Sequence, residues 1–376
     1  MKILHVNMSI DPITGGGTAE RIVQIARAMS KGDCDISILT LDIGITNEVK
    51  RNLKNINLIL LKCINKRFYI PGFDFTMISK IVKNSDMIHM MGHWTLINAI
   101  VYYYIKKFKR PFTICPAGAL PLYGRSKFFK KIYNLLIGNR IVQNADQCIA
   151  ITKKEYTDFD IYKIGDQKIK LIPNGINLED YKYQDNTIFK EKYDIKKKII
   201  LFLGRLNYIK GLDLLIEAFI DSGEHVKDYQ LVIIGPDEGM LKPMEKIVKK
   251  SDRFDDILFL GYIGGKEKSM AFHAADLVVI PSRQEAMSIV VLEAGISGTP
   301  VVMTDQCGFN EIESINGGLI VSASVKGIKS GIHKILSDPE KLIEKGENLK
   351  QFCHKFYTWN ASAEKYSEIH KQFIHY

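Results

Sequence analysis

Two runs of short apolar segments, each alternating with helical patterns and parted by one polar stretch, constrain this chain more than any other feature. The first run comprises "KILHVNM", "DISILTL", "INLILLKC", "DMIHMM", "PFTIC", "QCIAIT" and "KIKLIP". Between these segments stand amphipathic stretches such as "AERIVQIARAMS", "WTLINAIVYYYIKKF" and "RSKFFKKIYNLLIGNR". After the polar "LEDYKYQDNTIFKEKYD" the alternation restarts with "KIILFLG", "YQLVIIG", "DILFLGYI", "LVVIPS" and "PVVMTD". Short apolar strands alternating with helices predict parallel sheets covered on both faces, an α/β class. A length of 376 residues exceeds one ordinary core and suits two such domains. The pattern divides into 1–175 and 176–356. A last helical stretch, 357–376, has no strand left to serve.

Charge adds a second constraint. Residues 1–180 hold 26 Lys+Arg against 15 Asp+Glu, or +11, whereas 181–376 hold 26 against 27, or −1. A basic first half predicts an anionic surface or substrate. The segment "RSKFFKKIYNLLIGNR" has five basic residues, no acid, and Phe128, Phe129, Leu135 and Leu136, which suits a helix lying on an anionic membrane. No helix-turn-helix or RNA-binding signature accompanies the charge, so nucleic acid is not an expected partner. No apolar run approaches the ~18–20 residues of a membrane span. "MKILHVNMSID" reads as a first strand and not as a secretion signal. Six cysteines without metal-ligand spacing predict reduced thiols in the cytoplasm.

In open parallel sheets ligands bind at the carboxyl ends of strands, so the residues just after each strand carry the functional reading. Glu285 follows "LVVIPS" in a turn-rich loop, and Glu293 stands two turns into the apolar "IVVLEAGI". With Ser288 as N-cap, Glu293 shares a helix face with Ile289, Val290, Ile296 and Ser297. A buried carboxylate must protonate or meet donors, either protein groups or a ligand. The amides of Ala286 to Val290 offer an anion site at the start of the same helix.

Arg205 follows "KIILFL", and Lys210 precedes the helix that opens at Gly211. A lysine there opposes the helix dipole, which an anionic partner would offset. A guanidinium fork with an ammonium point charge suits a diphosphate. Gly15, Gly16 and Gly17 follow the first strand and let a phosphate or sugar approach the backbone. They do not complete a dinucleotide fingerprint, because Glu20 occupies the third glycine position. Asp33-Cys34-Asp35 and Asp158-Phe159-Asp160 match a metal-binding pattern literally but follow no clear strand, so no obligatory metal or other cofactor is expected.

Together these residues resemble a family 4 glycosyltransferase. The resemblance rests on "GGG" after the first strand, "IPNGIN" at the domain junction, "GRLNYIKG", "GYIGG", and Glu285 and Glu293 with seven residues between. It implies two Rossmann-like domains with parallel sheets facing a central cleft (the GT-B fold), the last helix crossing back to the first domain. It implies a retaining transfer of a hexose from a nucleotide-diphosphate sugar to a glycan or lipid-linked acceptor, in surface polysaccharide, lipopolysaccharide or glycolipid biosynthesis. Arg205 and Lys210 match the residues that grip the donor diphosphate. Glu285 matches the acid at the donor sugar, and Glu293 the one that holds the ribose hydroxyls, its donors then coming from the ligand. Ala286, Met287, Ser288 and Ile289 stand where backbone amides meet sugar and phosphate, Tyr262 stands by the base, and Gly16 and Gly17 approach the donor. The implied location is cytoplasmic, peripheral on the inner face of the plasma membrane.

One departure concerns the first domain. Pro116-Ala117-Gly118 stands where the family often has Pro-His-Gly. His93, after "DMIHMM", lies at the same sheet edge and is the candidate to supply the missing hydrogen bond, the alternative being that it packs on the following helix. Two other readings remain. One is a non-catalytic sugar-nucleotide-binding subunit of a glycan-synthesis complex. The other is a dinucleotide-dependent oxidoreductase, which the broken glycine pattern opposes.

Overall fold

The computed structural model describes residues 1–12, 15–72, 74–122, 127–182, 186–285 and 287–373. The chain divides into two compact units, Met1–Gly175 with Trp359–Tyr376, and Ile176–Thr358. Each is a parallel sheet covered by helices.

In the first unit the strands are β1 (Lys2–Val6), β2 (Asp35–Leu41), β3 (Asn57–Leu61), β4 (Cys63–Asn65), β5 (Ile70–Pro71), β6 (Met87–Met91), β7 (Phe112–Cys115), β8 (Gln147–Ala150) and β9 (Ile169–Leu171). Seven of them form one parallel sheet in the order β3-β2-β1-β6-β7-β8-β9, while β4 and β5 make a small antiparallel hairpin. Its helices are α1 (Gly16–Met29), α2 (Asn47–Asn52), α3 (Phe75–Asn84), α4 (Leu96–Phe108), α5 (Lys127–Tyr133), α6 (Asn139–Asn144) and α7 (Glu155–Asp160). The chain winds outward from β1 on one side and from β6 on the other, so the switch in strand order lies between β1 and β6. β6, "MIHMM", is buried at all five positions, which is why its sequence does not alternate.

The second unit contains α8 (Asn186–Lys192), β10 (Lys198–Leu203), α9 (Leu212–Asp221), β11 (Tyr229–Ile234), α10 (Leu241–Val248), β12 (Ile257–Gly261), α11 (Gly265–Ala274), β13 (Leu277–Ile280), α12 (Ile289–Ile296), β14 (Val301–Thr304), α13 (Glu311–Ser314), β15 (Gly318–Val321), α14 (Val325–Leu336) and α15 (Pro339–Phe356). Its sheet runs β12-β11-β10-β13-β14-β15, all parallel. Here the switch lies between β10 and β13. Ile200, Phe202, Leu231, Ile233, Val279 and Val302 pack with Leu215, Ile216 and Phe219 of α9 and with Ile328 and Ile332 of α14.

The last helix, α16 (Trp359–Phe373), belongs to the first unit and packs on α1. Its Ser362 hydroxyl donates to the Pro173 carbonyl. His370 approaches His89 of β6, the two Nε2 atoms lying 2.8 Å apart.

The basic segment expected as one helix over 125–140 is broken. Arg125 and Ser126 lie outside the described residues. α5 and α6 are joined by a π-helical turn, Asn134–Gly138, in which the Asn139 amide donates to the Asn134 carbonyl. The Asn134 side chain is held by the Tyr162 hydroxyl at 2.8 Å and by His93 at 2.8 Å. That anchorage accommodates the extra residue of the wide turn. Among the described residues no helix is long and apolar enough to cross a membrane.

Candidate active site

The second unit presents its charged loops at the switch between β10 and β13, where an open parallel sheet offers a crevice. The loop after β10 carries Arg205 and Lys210, and the loop after β13 carries Ser282, Arg283 and Glu285. Gly211 lets the two loops meet. Its φ is +68°, and a Cβ there would lie 2.0 Å from the Pro281 carbonyl oxygen. Any other residue would push the loops apart.

Lys210 Nζ lies 2.6 Å from Glu285 Oε1, which also accepts from Ser282 Oγ at 2.6 Å. Both members of this ion pair are largely shielded, with side-chain exposures of 23% and 10%. The Glu285 amide donates to Gln306, and the Lys210 amide donates to Asn207 Oδ1, fixing both loops. Arg283 braces them from outside through a two-pronged contact to Asp213 at 2.8 and 2.6 Å, while its guanidinium lies 3.9 Å from the Tyr208 ring centre. Beneath the loop, burial first and the Glu285 charge second push the Cys307 thiol up to about 12. It stays protonated and is no nucleophile.

Arg205 is engaged too. Its Nη1 meets Glu238 at 3.0 and 3.3 Å, and Asn207 Nδ2 donates to the same carboxylate at 2.7 Å. This pair is solvent-exposed and therefore weak, so an incoming diphosphate can compete for the guanidinium. Glu238 was missed in the sequence reading, although it stands in "GPDEG" directly after β11, where the strand-end rule directs attention.

The sequence reading needs correction at three points in this unit. The first is Glu293, which was expected to draw its donors from a ligand. In the fold, Tyr181 donates to Glu293 Oε1 at 2.5 Å and Lys268 Nζ lies 2.6 Å from the same oxygen. Two protein groups therefore already hold this carboxylate, and a ribose hydroxyl would only add to them. The second point is Ser288. It occupies the N-cap position of α12, but its hydroxyl makes no capping bond and is buried without a partner. The third is the amide run expected as an anion site. The Ser288 amide donates to the Cys307 carbonyl, and Ala286 lies outside the described residues. Ile289 and Val290 open α12, where amides have no acceptor within the helix. Met287 is buried below them, and Tyr262 stands exposed just beyond β12.

Gly16, Gly17 and His93 belong to the first unit, at the carboxyl ends of β1 and β6. Gly16 opens α1 at φ +61°, and both glycines keep access to solvent. His93 is a correction. It is 1% exposed, its Nε2 is engaged with Asn134, and the rings of Trp94, Tyr133 and Tyr162 enclose it at centroid distances of 4.4, 5.7 and 5.4 Å. Burial lowers its pKa to about 4, so the ring is neutral at physiological pH. A ring so enclosed packs against the α5 segment, and its Nδ1 is buried without a hydrogen-bond partner. Ala117 holds φ +50° and Gly118 +80°, so the turn there needs no histidine to form.

Two parallel-sheet α/β units in one chain are the architecture of the GT-B class. The chain belongs to glycosyltransferase family 4. The family described as "Glycosyltransferase Family 4" matches residues 15–180, and the one described as "Glycosyl transferases group 1" matches 184–352. An uncharacterised glycosyltransferase of Methanocaldococcus jannaschii is 31% identical over 224 residues, 56% of each chain. The chain spans little more than half the length of the first curated relatives it matches. Among solved structures, the Anabaena protein HepE in complex with UDP-glucose superposes with a TM-score of 0.81 at 18% identity, covering 99% of this chain and 100% of that one. WaaG, a glycosyltransferase involved in lipopolysaccharide biosynthesis, superposes with a TM-score of 0.71 at 19% identity, covering 98% and 99%.

Proposed function

We propose that this chain is a retaining glycosyltransferase that moves a hexose from a nucleoside-diphosphate sugar to a glycan or lipid-linked acceptor. The observation that carries this reading is the Lys210–Glu285 pair at the β10/β13 switch point, flanked by Arg205 and the opening amides of α12. On donor binding, Lys210 and Arg205 turn to the diphosphate and stabilise the charge that develops as the sugar leaves. Glu285, released from Lys210, faces the sugar. Glu293 takes the ribose and Tyr262 lies by the base. The two cations supply the positive charge a divalent metal would bring, so the reaction needs no obligatory metal. A UDP-sugar is the first donor to try, since the Anabaena neighbour was solved with UDP-glucose.

A non-catalytic sugar-nucleotide-binding subunit is the second reading, favoured by Ala117 in place of the family histidine and by the enclosure of His93. Incubation with a panel of nucleotide sugars, following release of nucleoside diphosphate, separates the two. Release of product supports the enzyme, and binding without release supports the subunit.

The acceptor side is membrane chemistry in this reading, with the protein peripheral on the cytoplasmic face of the plasma membrane and acting in surface polysaccharide or glycolipid biosynthesis. Phe128, Phe129, Leu135 and Leu136 are all exposed, beside Lys127, Lys130 and Lys131. Replacing the three lysines by glutamate is expected to release the protein from anionic vesicles, at roughly 1 kcal/mol per cation lost near the surface. Helix content should be unchanged. Equal binding of wild type and variant to anionic vesicles in a flotation assay would remove the electrostatic part of this reading.

A further inference from the structure

The two cations assigned to the donor diphosphate each rest on a carboxylate, Lys210 on Glu285 and Arg205 on Glu238. Glu285 has a task at the sugar in the reading above, and Glu238 has none.

Backbone contacts fix where Glu238 stands. The loop after β11 is zipped to the loop after β10. The Gly204 amide donates to the Ile234 carbonyl at 2.9 Å and the Leu206 amide to that of Pro236 at 2.9 Å, while the amides of Glu238 and Met240 donate to Leu206 at 3.1 and 3.2 Å. Gly235 permits so close an approach, since a Cβ there would lie 1.8 Å from the Gly204 carbonyl oxygen. The neighbouring acid, Asp237, is committed within its own loop. Its Oδ1 accepts from the amides of Leu241, Gly239 and Met240 at 3.0, 2.8 and 3.0 Å, and these bonds hold its carboxyl below the ordinary range.

Glu238 faces Arg205 instead. Its two oxygens meet Nη1 at 3.0 and 3.3 Å, and one of them accepts from Asn207 Nδ2 at 2.7 Å. Asn207 Oδ1 accepts from the Lys210 amide at 3.1 Å, so one side chain ties Glu238 to the turn that carries the second cation. The stem of Lys210 passes beside the same loop, its Cδ 3.9 Å from where a Cβ on Gly204 would stand. A carboxylate offers a guanidinium what a phosphate offers, two oxygens sharing negative charge. Glu238 therefore occupies a contact that the donor phosphate needs, and sharing it would set two anions side by side at a like-charge cost.

We propose that Glu238 is a built-in competitor for Arg205, a positioning residue that lowers the affinity of the second unit for nucleoside diphosphate. It holds the guanidinium in place before the donor arrives and takes it back as the product leaves. Donor and product share the diphosphate, so a tighter grip on that group would slow product release. The role rests on the diphosphate reading of Arg205 above.

The test is calorimetric titration of the full chain, and of Glu238→Gln, with UDP, GDP, ADP and dTDP, each beside its nucleoside. Glutamine keeps an acceptor for Asn207 and loses the charge, and the position is exposed, so circular dichroism should be unchanged. A diphosphate that binds the wild type should bind Glu238→Gln about two- to fivefold more tightly, the range set by an exposed ion pair. The matching nucleoside should show no gain. In an Arg205→Ala background the gain should vanish, because both residues act through one contact. Equal or weaker diphosphate binding by Glu238→Gln would overturn the proposal and leave the diphosphate reading standing. So would an equal gain for the nucleoside, or a gain that persists in full without Arg205, which would mean general charge repulsion. Binding of none of the four diphosphates by either protein would refute both readings.

Discussion

Lys210→Ala is expected to lower turnover by about 10²- to 10³-fold, the scale of losing one donor aimed at developing negative charge. The argument starts from position. Lys210 sits at the β10/β13 switch point with its ammonium shielded from water, so its interaction with a diphosphate is screened less than that of a surface cation. Its present partner, Glu285, is also shielded and keeps only Ser282 once the lysine is removed. Some loss of stability therefore accompanies the loss of turnover, and a Lys210→Ala, Glu285→Gln double variant separates them. Removing both charges should restore melting temperature without restoring turnover. Arg205→Ala should cost less, because its guanidinium is more exposed and shares Glu238 with Asn207. Initial rates of nucleoside diphosphate release at saturating donor check both, and wild-type rates in Lys210→Ala would end the diphosphate assignment.

The second large effect is acid sensitivity of the first unit. His5, His89 and His370 form a buried cluster, with ring centroids 5.1 Å apart for His5–His89 and 5.0 Å for His89–His370. His89 Nδ1 is also 2.6 Å from Thr113 Oγ1, and Tyr366 packs edge-on against its ring. Burial holds His5 at about 3 and His370 at about 4, and burial with the neighbouring histidines holds His89 well below its ordinary value. Buried Arg21 of α1 adds a fixed positive charge on the side where α16 packs.

These folded values lie below the unfolded value of about 6.5, so the unfolded chain binds more protons at mildly acid pH. Stability is then flat above about pH 7 and falls as pH drops below 6.5, by up to about 1.4 kcal/mol per pH unit for each neutral histidine. Glu155 works in the opposite sense. Burial raises its carboxyl to about 7, so the folded state holds a proton that the unfolded chain releases, and this contribution grows as pH falls from 7 toward 4.5. Four histidines, His93 at about 4 among them, against Glu155 and the Asp158 carboxyl that burial also raises leave a net loss. Urea unfolding at pH 8, 7, 6 and 5 should show equal stability at the first two and a steep decline to the last. His370→Gln should make that decline shallower. Equal stability at pH 7 and pH 5 would contradict the account.

Much of the fold was legible because its strands are continuous apolar runs. "KIILFL" and "YQLVII" announce β10 and β11, since a parallel strand buried on both faces has no polar face to alternate with. Lys210 and Glu285 were legible for a related reason, because chain order places loops after strands and strand ends carry ligand sites. What the sequence could not supply was partner choice. Glu293 finds Tyr181 at 112 residues' separation and Lys268 at 25, and only tertiary packing joins them. His93 shows the complementary failure. Its place after β6 marked the correct edge of the sheet, but depth below that edge is set by Trp94, Tyr133 and Tyr162, which come from three different segments. The π-helical turn at Asn134–Gly138 was hidden likewise, since it depends on where the Asn134 side chain is held.

The central claim is that the carboxyl edge of the second unit binds the diphosphate of a nucleotide sugar through Lys210. Melting temperature measured against a panel of nucleoside diphosphates and their sugars tests it most directly, because a ligand of the folded state raises stability by RT ln(1 + [L]/Kd). The account predicts that at least one nucleoside-diphosphate sugar raises the wild-type melting temperature in a concentration-dependent manner, and that Lys210→Ala, itself folded, shows little or no rise with the same compound. A wild-type protein indifferent to the whole panel, or a Lys210→Ala protein stabilised as fully as wild type, would contradict it.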